Sequence, residues 1–523
     1  MTTPTPPPGC PAHQSQSAGF PLYSEEFATD PADVYARLRA THGPLAPVEL
    51  YPGATATLAI SYQAALDVLR SPETFSKDAR RWRGLADGRV APDNPTVPMM
   101  AYRPNCLFSD GDTHDRLRGA VVDSLERVDP NALRGYVERS ADRLIDHFAG
   151  RGEADLVADY ARTLPLLVFN ELFGSPSHFG DRLVHGMSGI FDGVDAERAN
   201  AELTSTMLEL VALKRARPGA DVTSWLMAHP AALSDEEMLH HLVLLMGAGT
   251  EPQLNLISNT LRLLLSDDRF AGDLAGGSLP VEDALDEVLW TDPPMANYAV
   301  HFPVRDVDLA GVRLAEGEPV VVSFAAANTD PALAGTSRTG NRAHLAWSAG
   351  PHACPAQGPA RLIASVAVEK LLDRLPDVEL AVKPDELTWR PGPFHRALTA
   401  LPVRFPPTTA ATPSTPSTPS APSAPSAPSA PSTATTPNAD APTADAPTAG
   451  MAAGSTAPRP LPAEPTAAGS APDHTSGDRP WNPTAAPTGS TLPEPISTPR
   501  PDGSTRTGRW PRWNSLVAWL RGR

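Results

Sequence analysis

The chain has 523 residues, 60 of them proline, and a formal net charge of −17. That length suits one large domain or two ordinary ones, and the acidic balance argues against nucleic acid as a bulk partner. Its three cysteines, Cys10, Cys106 and Cys354, fit neither a disulfide framework nor a zinc spacing, and no long apolar run marks a membrane span.

Residues 1–19 are polar and proline-rich, without a basic start or an apolar core. They read as a disordered N-terminus rather than a signal peptide, and the chain reads as cytoplasmic. The body is expected over 20–405, enough to bury a large core around a cofactor. Helical periodicity dominates it. The clearest helix runs from about Ser234 to Leu265, where Ser234 and Glu237 have the spacing of a capping box. The stretch Leu242 to Met246 is apolar on every side, which marks a helix through the centre of the body. A second helix, Val281 to Trp290, stops before Pro293-Pro294. Strand signals follow at Val307 and Leu309, at Val312 and Leu314 beyond Gly311, and from Pro319 to Phe324. A third helix begins just after Cys354 and carries Leu362, Ile363, Val366, Leu371 and Leu372. The predicted fold class is mainly α with a small β-sheet region (α+β).

Beyond the body, residues 406–505 are dominated by Ala, Pro, Ser and Thr. Too few large apolar side chains are present to offset ordering entropy, so a disordered tail is expected. The segment 506–523 differs, with Arg506, Arg509, Arg512, Arg521 and Arg523 among Trp510, Trp513 and Trp519. It suits a membrane surface or an acidic protein partner, or is simply an unstructured basic end.

Chemistry concentrates in His344-Leu345-Ala346-Trp347-Ser348-Ala349-Gly350-Pro351-His352-Ala353-Cys354. A cysteine at a helix start faces unpaired N–H groups and the positive end of the dipole, which lowers the thiolate's energy and suits it to bind a metal. A buried structural cysteine is the simpler alternative. The segment resembles the haem-binding loop of the cytochrome P450 family, F-G-x-G-x-H-x-C-x-G-x-x-L-A-R. Gly350, His352, Cys354, Ala360 and Arg361 match, while Trp347, Ser348, Ala356 and Pro359 depart.

Further segments carry the resemblance in the family's order. Asp110 to Arg118 is similar to the stretch whose His and Arg clamp haem propionates, here His114 and Arg118, one helical turn apart. Asp306 to Gly317 resembles a D-V-x-L-x-G strand pair, and Ala326-Ala327-Asn328-Thr329-Asp330-Pro331 the A-N-R-D-P stretch.

Three departures stand out. Where the family has E-x-x-R, this chain has Glu287-Val288-Leu289-Trp290, with Arg342 as a candidate partner for Glu287. An atypical actinobacterial group of the family also carries Trp there; Trp290 can equally be a core aromatic. On the central helix the family's A-G-x-D/E-T becomes Ala248-Gly249-Thr250-Glu251-Pro252. The acid is kept and Pro252 replaces the alcohol, removing one helical hydrogen bond and predicting a kink. His301 stands where a propionate-binding Arg is usual, and can equally be an ordinary strand histidine.

The resemblance implies haem b held by Cys354, with His114, Arg118, His301 and His352 binding its carboxylates. Glu251, with Thr250 a less direct substitute for the missing alcohol, would carry protons. It also implies a monooxygenase acting on a small, largely apolar substrate with electrons from a ferredoxin and its reductase. A haem-binding regulatory or partner-docking protein with little or no turnover is the rival. Substrate contacts are expected around Arg80 to Asn105 and near Phe179 to Val194.

Overall fold

The structure, a computed structural model, describes residues 19–408 apart from 181, 184–185, 187–195, 268, 271–280, 336–337 and 339. The expected tail beyond 408, its Trp- and Arg-rich end and most of the expected substrate region up to Val194 lie outside the described residues.

The longest helix shows how local sequence and tertiary packing combine. Ser234 accepts from the Glu237 N–H, and the Glu237 carboxylate accepts from the Ser234 N–H, so the capping box forms as predicted. Eight helices frame the site: α1 (Tyr62–Arg70), α2 (Gly111–Leu125), α3 (Pro130–Phe148), α4 (Thr163–Leu172), α5 (Ala196–Ala216), α6 (Asp235–Ser266), α7 (Val281–Thr291) and α8 (Gln357–Arg374). Helix α6 packs against α4, α5, α7 and α8. Leu254, Ile257, Leu261 and Leu264 of α6 share one core cluster with Val288 and Leu289 of α7 and Ile363, Val366 and Leu371 of α8. Leu242 and Met246 are buried in a second cluster, with Val243, Leu244 and Leu245 packed half-buried against it.

Eleven strands accompany the helices among the described residues: β1 (Phe20–Pro21), β2 (Leu45–Tyr51), β3 (Ala54–Ala59), β4 (Phe75–Ser76), β5 (Glu153–Asp155), β6 (Asn297–Pro303), β7 (Val307–Leu309), β8 (Val312–Leu314), β9 (Val320–Ser323), β10 (Glu379–Leu380) and β11 (Pro402–Arg404). Six form one mixed sheet in the order β1-β2-β3-β9-β6-β4. All four residues of β9 are buried, the three β-branched valines and Ser323, as suits a central strand. β7 and β8 pair as an antiparallel hairpin across Gly311, and β10, β11 and β5 form a third, small sheet. At the edge of the main sheet, Phe75 and Ser76 pair with Pro303 and Phe302. That pairing sets residue 77 beside the strand that carries His301. Among the described residues, no helix is long and apolar enough to cross a membrane.

Candidate active site

Cys354 lies three residues before α8, in a loop held by its own backbone. Its N–H donates to the Trp347 carbonyl at 2.8 Å, and its Sγ accepts from the Ala356 N–H at 3.4 Å. Gly350 has φ +69°, and a Cβ there would stand 2.2 Å from the Leu69 carbonyl oxygen, so the matched glycine is sterically required. Ser348 occupies a family glycine position and takes φ +62°, a left-handed conformation that costs any residue with a Cβ. Burial pushes the Cys354 thiol up, while the Ala356 N–H and Arg118 act in the opposite direction. Arg118 reaches from α2 and donates to the carbonyl of Ala353, the residue next to Cys354.

Beside this loop, four of the predicted anchors draw together. The His114 and His352 rings lie 4.1 Å apart, and His352 Nε2 is 3.7 Å from an Asp110 oxygen. Asp110 also accepts from Ser76 Oγ at 2.5 Å and from the Lys77 N–H at 3.1 Å. Burial raises its carboxyl, but these bonds and His352 bring it down to about 2. His114 keeps Nδ1 3.3 Å from Asp115, and its buried Nε2 has no hydrogen-bond partner. His301, on β6, is 2% exposed and uses Nδ1 on the Ala299 carbonyl. Burial depresses all three imidazoles, His352 to about 4 and His301 well below the usual range.

Trp290 of α7 is 4% exposed. Its indole N–H donates to the Asn341 carbonyl at 2.7 Å, and its ring meets His344 edge-on at 5.7 Å. Arg342 does not pair with Glu287 as expected: its Nε lies 3.2 Å from Asp286. Adjacent helical positions point about 100° apart. Asp286 is the one turned inward, where it also binds Arg361 of α8, and Arg361 binds Glu282. Glu287 lies on a more open face, 3.6 Å from Arg269 and 3.9 Å from Arg338. Asn328 bridges the two segments, donating to the Leu289 carbonyl at 2.9 Å and accepting from the Leu345 N–H at 2.7 Å.

Helix α6 runs through Pro252 without a break in its assignment. The Thr250 hydroxyl donates to the Met246 carbonyl at 2.8 Å. Glu251 is buried and ion-paired with Arg390. Burial raises its carboxyl, yet the charges of Arg390, His395 and Arg162 and the Arg390 hydrogen bond bring it below the usual range. A Cβ on Gly249 would stand 2.1 Å from the Phe169 ring, so glycine lets α4 come this close. Ala248, one residue earlier, is exposed in the middle of an otherwise well-packed helix.

Sequence reasoning missed Lys77, Asp286, Arg390 and His395. Asp286 was discoverable only as a charge beside Glu287, Lys77 lies outside every recognised motif, and Arg390 and His395 sit in an irregular segment without periodicity.

The groups present fit a haem: a thiol on a glycine-cleared loop, an exposed alanine in the middle of the central helix, and buried polar atoms such as His114 Nε2 without a partner. No family model matches the chain. Individual proteins do. The chain is 34% identical to the cytochrome P450 monooxygenase PikC of Streptomyces venezuelae over 73% of this chain and 92% of that relative. It is 32% identical to cytochrome P450 107B1 of Saccharopolyspora erythraea, over 73% of this chain and 96% of the relative. The solved structure of CYP154A1 from Streptomyces coelicolor superposes with a TM-score of 0.67 at 28% identity, covering 74% of this chain and all of that one. Fold and relatives together define a haem-dependent oxidoreductase. The chain belongs to the cytochrome P450 family, and it is a haem-binding monooxygenase that acts on small molecules with the help of redox partners.

Proposed function

We propose that Cys354 would hold the haem through its sulfur and that the enzyme inserts one atom of dioxygen into a largely apolar small molecule, the other leaving as water at the expense of two electrons from its redox partners. The observation that carries this is the Cys354 loop, with its N–H and Sγ bound to backbone and the neighbouring carbonyl gripped by Arg118 from α2. Bound haem supplies the oxygen-activating iron, and a thiolate ligand feeds it electron density. His114, His301, His352 and Arg118 anchor the haem carboxylates. Glu251 is the acid for proton delivery; its carboxylate exchanges Arg390 for water before it can carry a proton toward the pocket. The Thr250 hydroxyl is committed to the Met246 carbonyl and serves this path only by leaving it.

Electrons come from a ferredoxin and its NAD(P)H-dependent reductase, in the cytoplasm. Relatives named 6-deoxyerythronolide B hydroxylase and 2-hydroxy-5-methyl-1-naphthoate 7-hydroxylase support hydroxylation as the reaction. Trp290 supports a resemblance to the atypical actinobacterial group that carries Trp at this position. The deciding experiment is a carbon monoxide difference spectrum of the reduced protein. The thiolate-type Soret shift disappears in Cys354→Ser and persists in Cys10→Ser and Cys106→Ser. A shift retained by Cys354→Ser would remove the ligand assignment.

A further inference from the structure

We propose that Lys77 is an anchoring residue of the haem, its ammonium holding one propionate and supplying the charge that His301 does not. The inference rests on the propionate reading of His114, His301 and His352 given above. Lys77 is 4% exposed, and Nζ makes one hydrogen bond, to the Val300 carbonyl at 2.8 Å. An ammonium has three donors. Among the described residues, no carboxylate lies within ion-pairing distance of this one. The nearest charge partner, Asp110, is already engaged by Ser76, by the Lys77 backbone N–H and by His352. The Tyr298 ring, 6.0 Å from Nζ, adds a weak cation–π contact, but a buried ammonium with one hydrogen bond is still stabilised by an anion beside it.

The position of Lys77 supplies that anion's setting. It follows β4, whose pairing with β6 sets it against the strand of His301. Its backbone N–H ties it to Asp110, the residue that opens α2 and its His114. Haem brings two carboxylates to this corner. Arg118 reaches the loop from α2 and Lys77 faces the strand of His301, so two cationic side chains border this corner. Burial lowers the Lys77 ammonium to about 7, with Asp110 opposing. A propionate beside it would restore the charged form.

The alternative is that Lys77 merely latches the Val300 carbonyl. Lys77→Gln separates the two, because it keeps a donor for that carbonyl and drops the charge. In haem-loaded protein, Lys77→Gln should lose haem to excess apomyoglobin about tenfold faster than wild type. Its propionate-bending band in the resonance Raman spectrum should also move, and Lys77→Arg should restore retention. A wild-type band and loss rate in Lys77→Gln would reduce the residue to a latch. If Lys77→Gln yields no holoprotein, Lys77→Arg decides: a displaced band supports the contact and an unchanged one overturns it. His114→Ala is the companion variant. If it too leaves the band in place, the propionate reading of the whole corner fails; if it alone moves the band, only Lys77 is misassigned.

Discussion

Two regions of this molecule have each lost a residue the family pattern supplies, and they have responded differently. Around Trp290 the replacement is densely compensated. The indole has an acceptor in Asn341, Asp286 has taken Arg342 and Arg361, and Glu287 has Arg269 and Arg338. Around Pro252 the helix continues, yet no hydroxyl replaces the lost one, and Thr250 is bonded back to its own helix. The difference separates two kinds of role. A residue that holds a loop can be replaced by any group making equivalent contacts nearby. A residue that passes a proton needs an exchangeable O–H at one place, and packing cannot substitute for it.

The largest effect should come from the compensated region. Trp290→Ala removes a buried aromatic and its indole N–H bond to the Asn341 carbonyl, at a cost of about 3–5 kcal/mol, read as lost melting temperature and haem occupancy. Trp290→Arg should not rescue it, because Asp286 already holds the local guanidinium groups. A Trp290→Arg protein more stable than wild type, with full haem, would break the comparison by showing a pocket still built for arginine.

Next in size is a pH effect on the uncompensated side. Burial lowers His395 to about 4, with Glu251 opposing and Arg390 assisting. The folded chain therefore favours the neutral ring, and its stability contribution is complete above the unfolded value near 6.5. As pH falls from there toward 4, the unfolded chain takes up a proton that the native one refuses, and about 3 kcal/mol is lost. Chemical denaturation across that range should show the decline, with a shallower slope in His395→Gln. The smallest effect sharpens the contrast directly. Pro252→Thr restores the alcohol and should raise product formed per NAD(P)H by a few-fold, about 1 kcal/mol in partitioning, with less peroxide released. Unchanged coupling in a folded variant would mean that protons take another route.

What was legible in the sequence was local. The Ser234 and Glu237 cap and the apolar spacing of α6 and α7 involve residues a turn apart, and both helices appear within a residue or so of their predicted ends. The choice between Asp286 and Glu287 was not local. Two adjacent acids look alike in sequence, and only the docking of the Arg342 segment selects the inward one. Lys77 was equally hidden, since a lysine after a two-residue strand reads as a solvent-facing edge until β6 is known to cover it. The Glu251–Arg390 pair joins positions 139 residues apart, beyond the reach of any periodicity.

The same long spans bear on the order in which the protein is made. Lys77 meets Val300 across 223 residues, and Arg118 meets Ala353 across 235. Loops of that size close late, after helices have formed from neighbouring contacts. The haem corner is therefore assembled from both ends of the body at once, and a nascent chain cannot present it until Cys354 and α8 have been synthesised. Cofactor capture at this corner thus waits on a chain synthesised past Cys354, three residues before α8, and on the packing of α8 against α6.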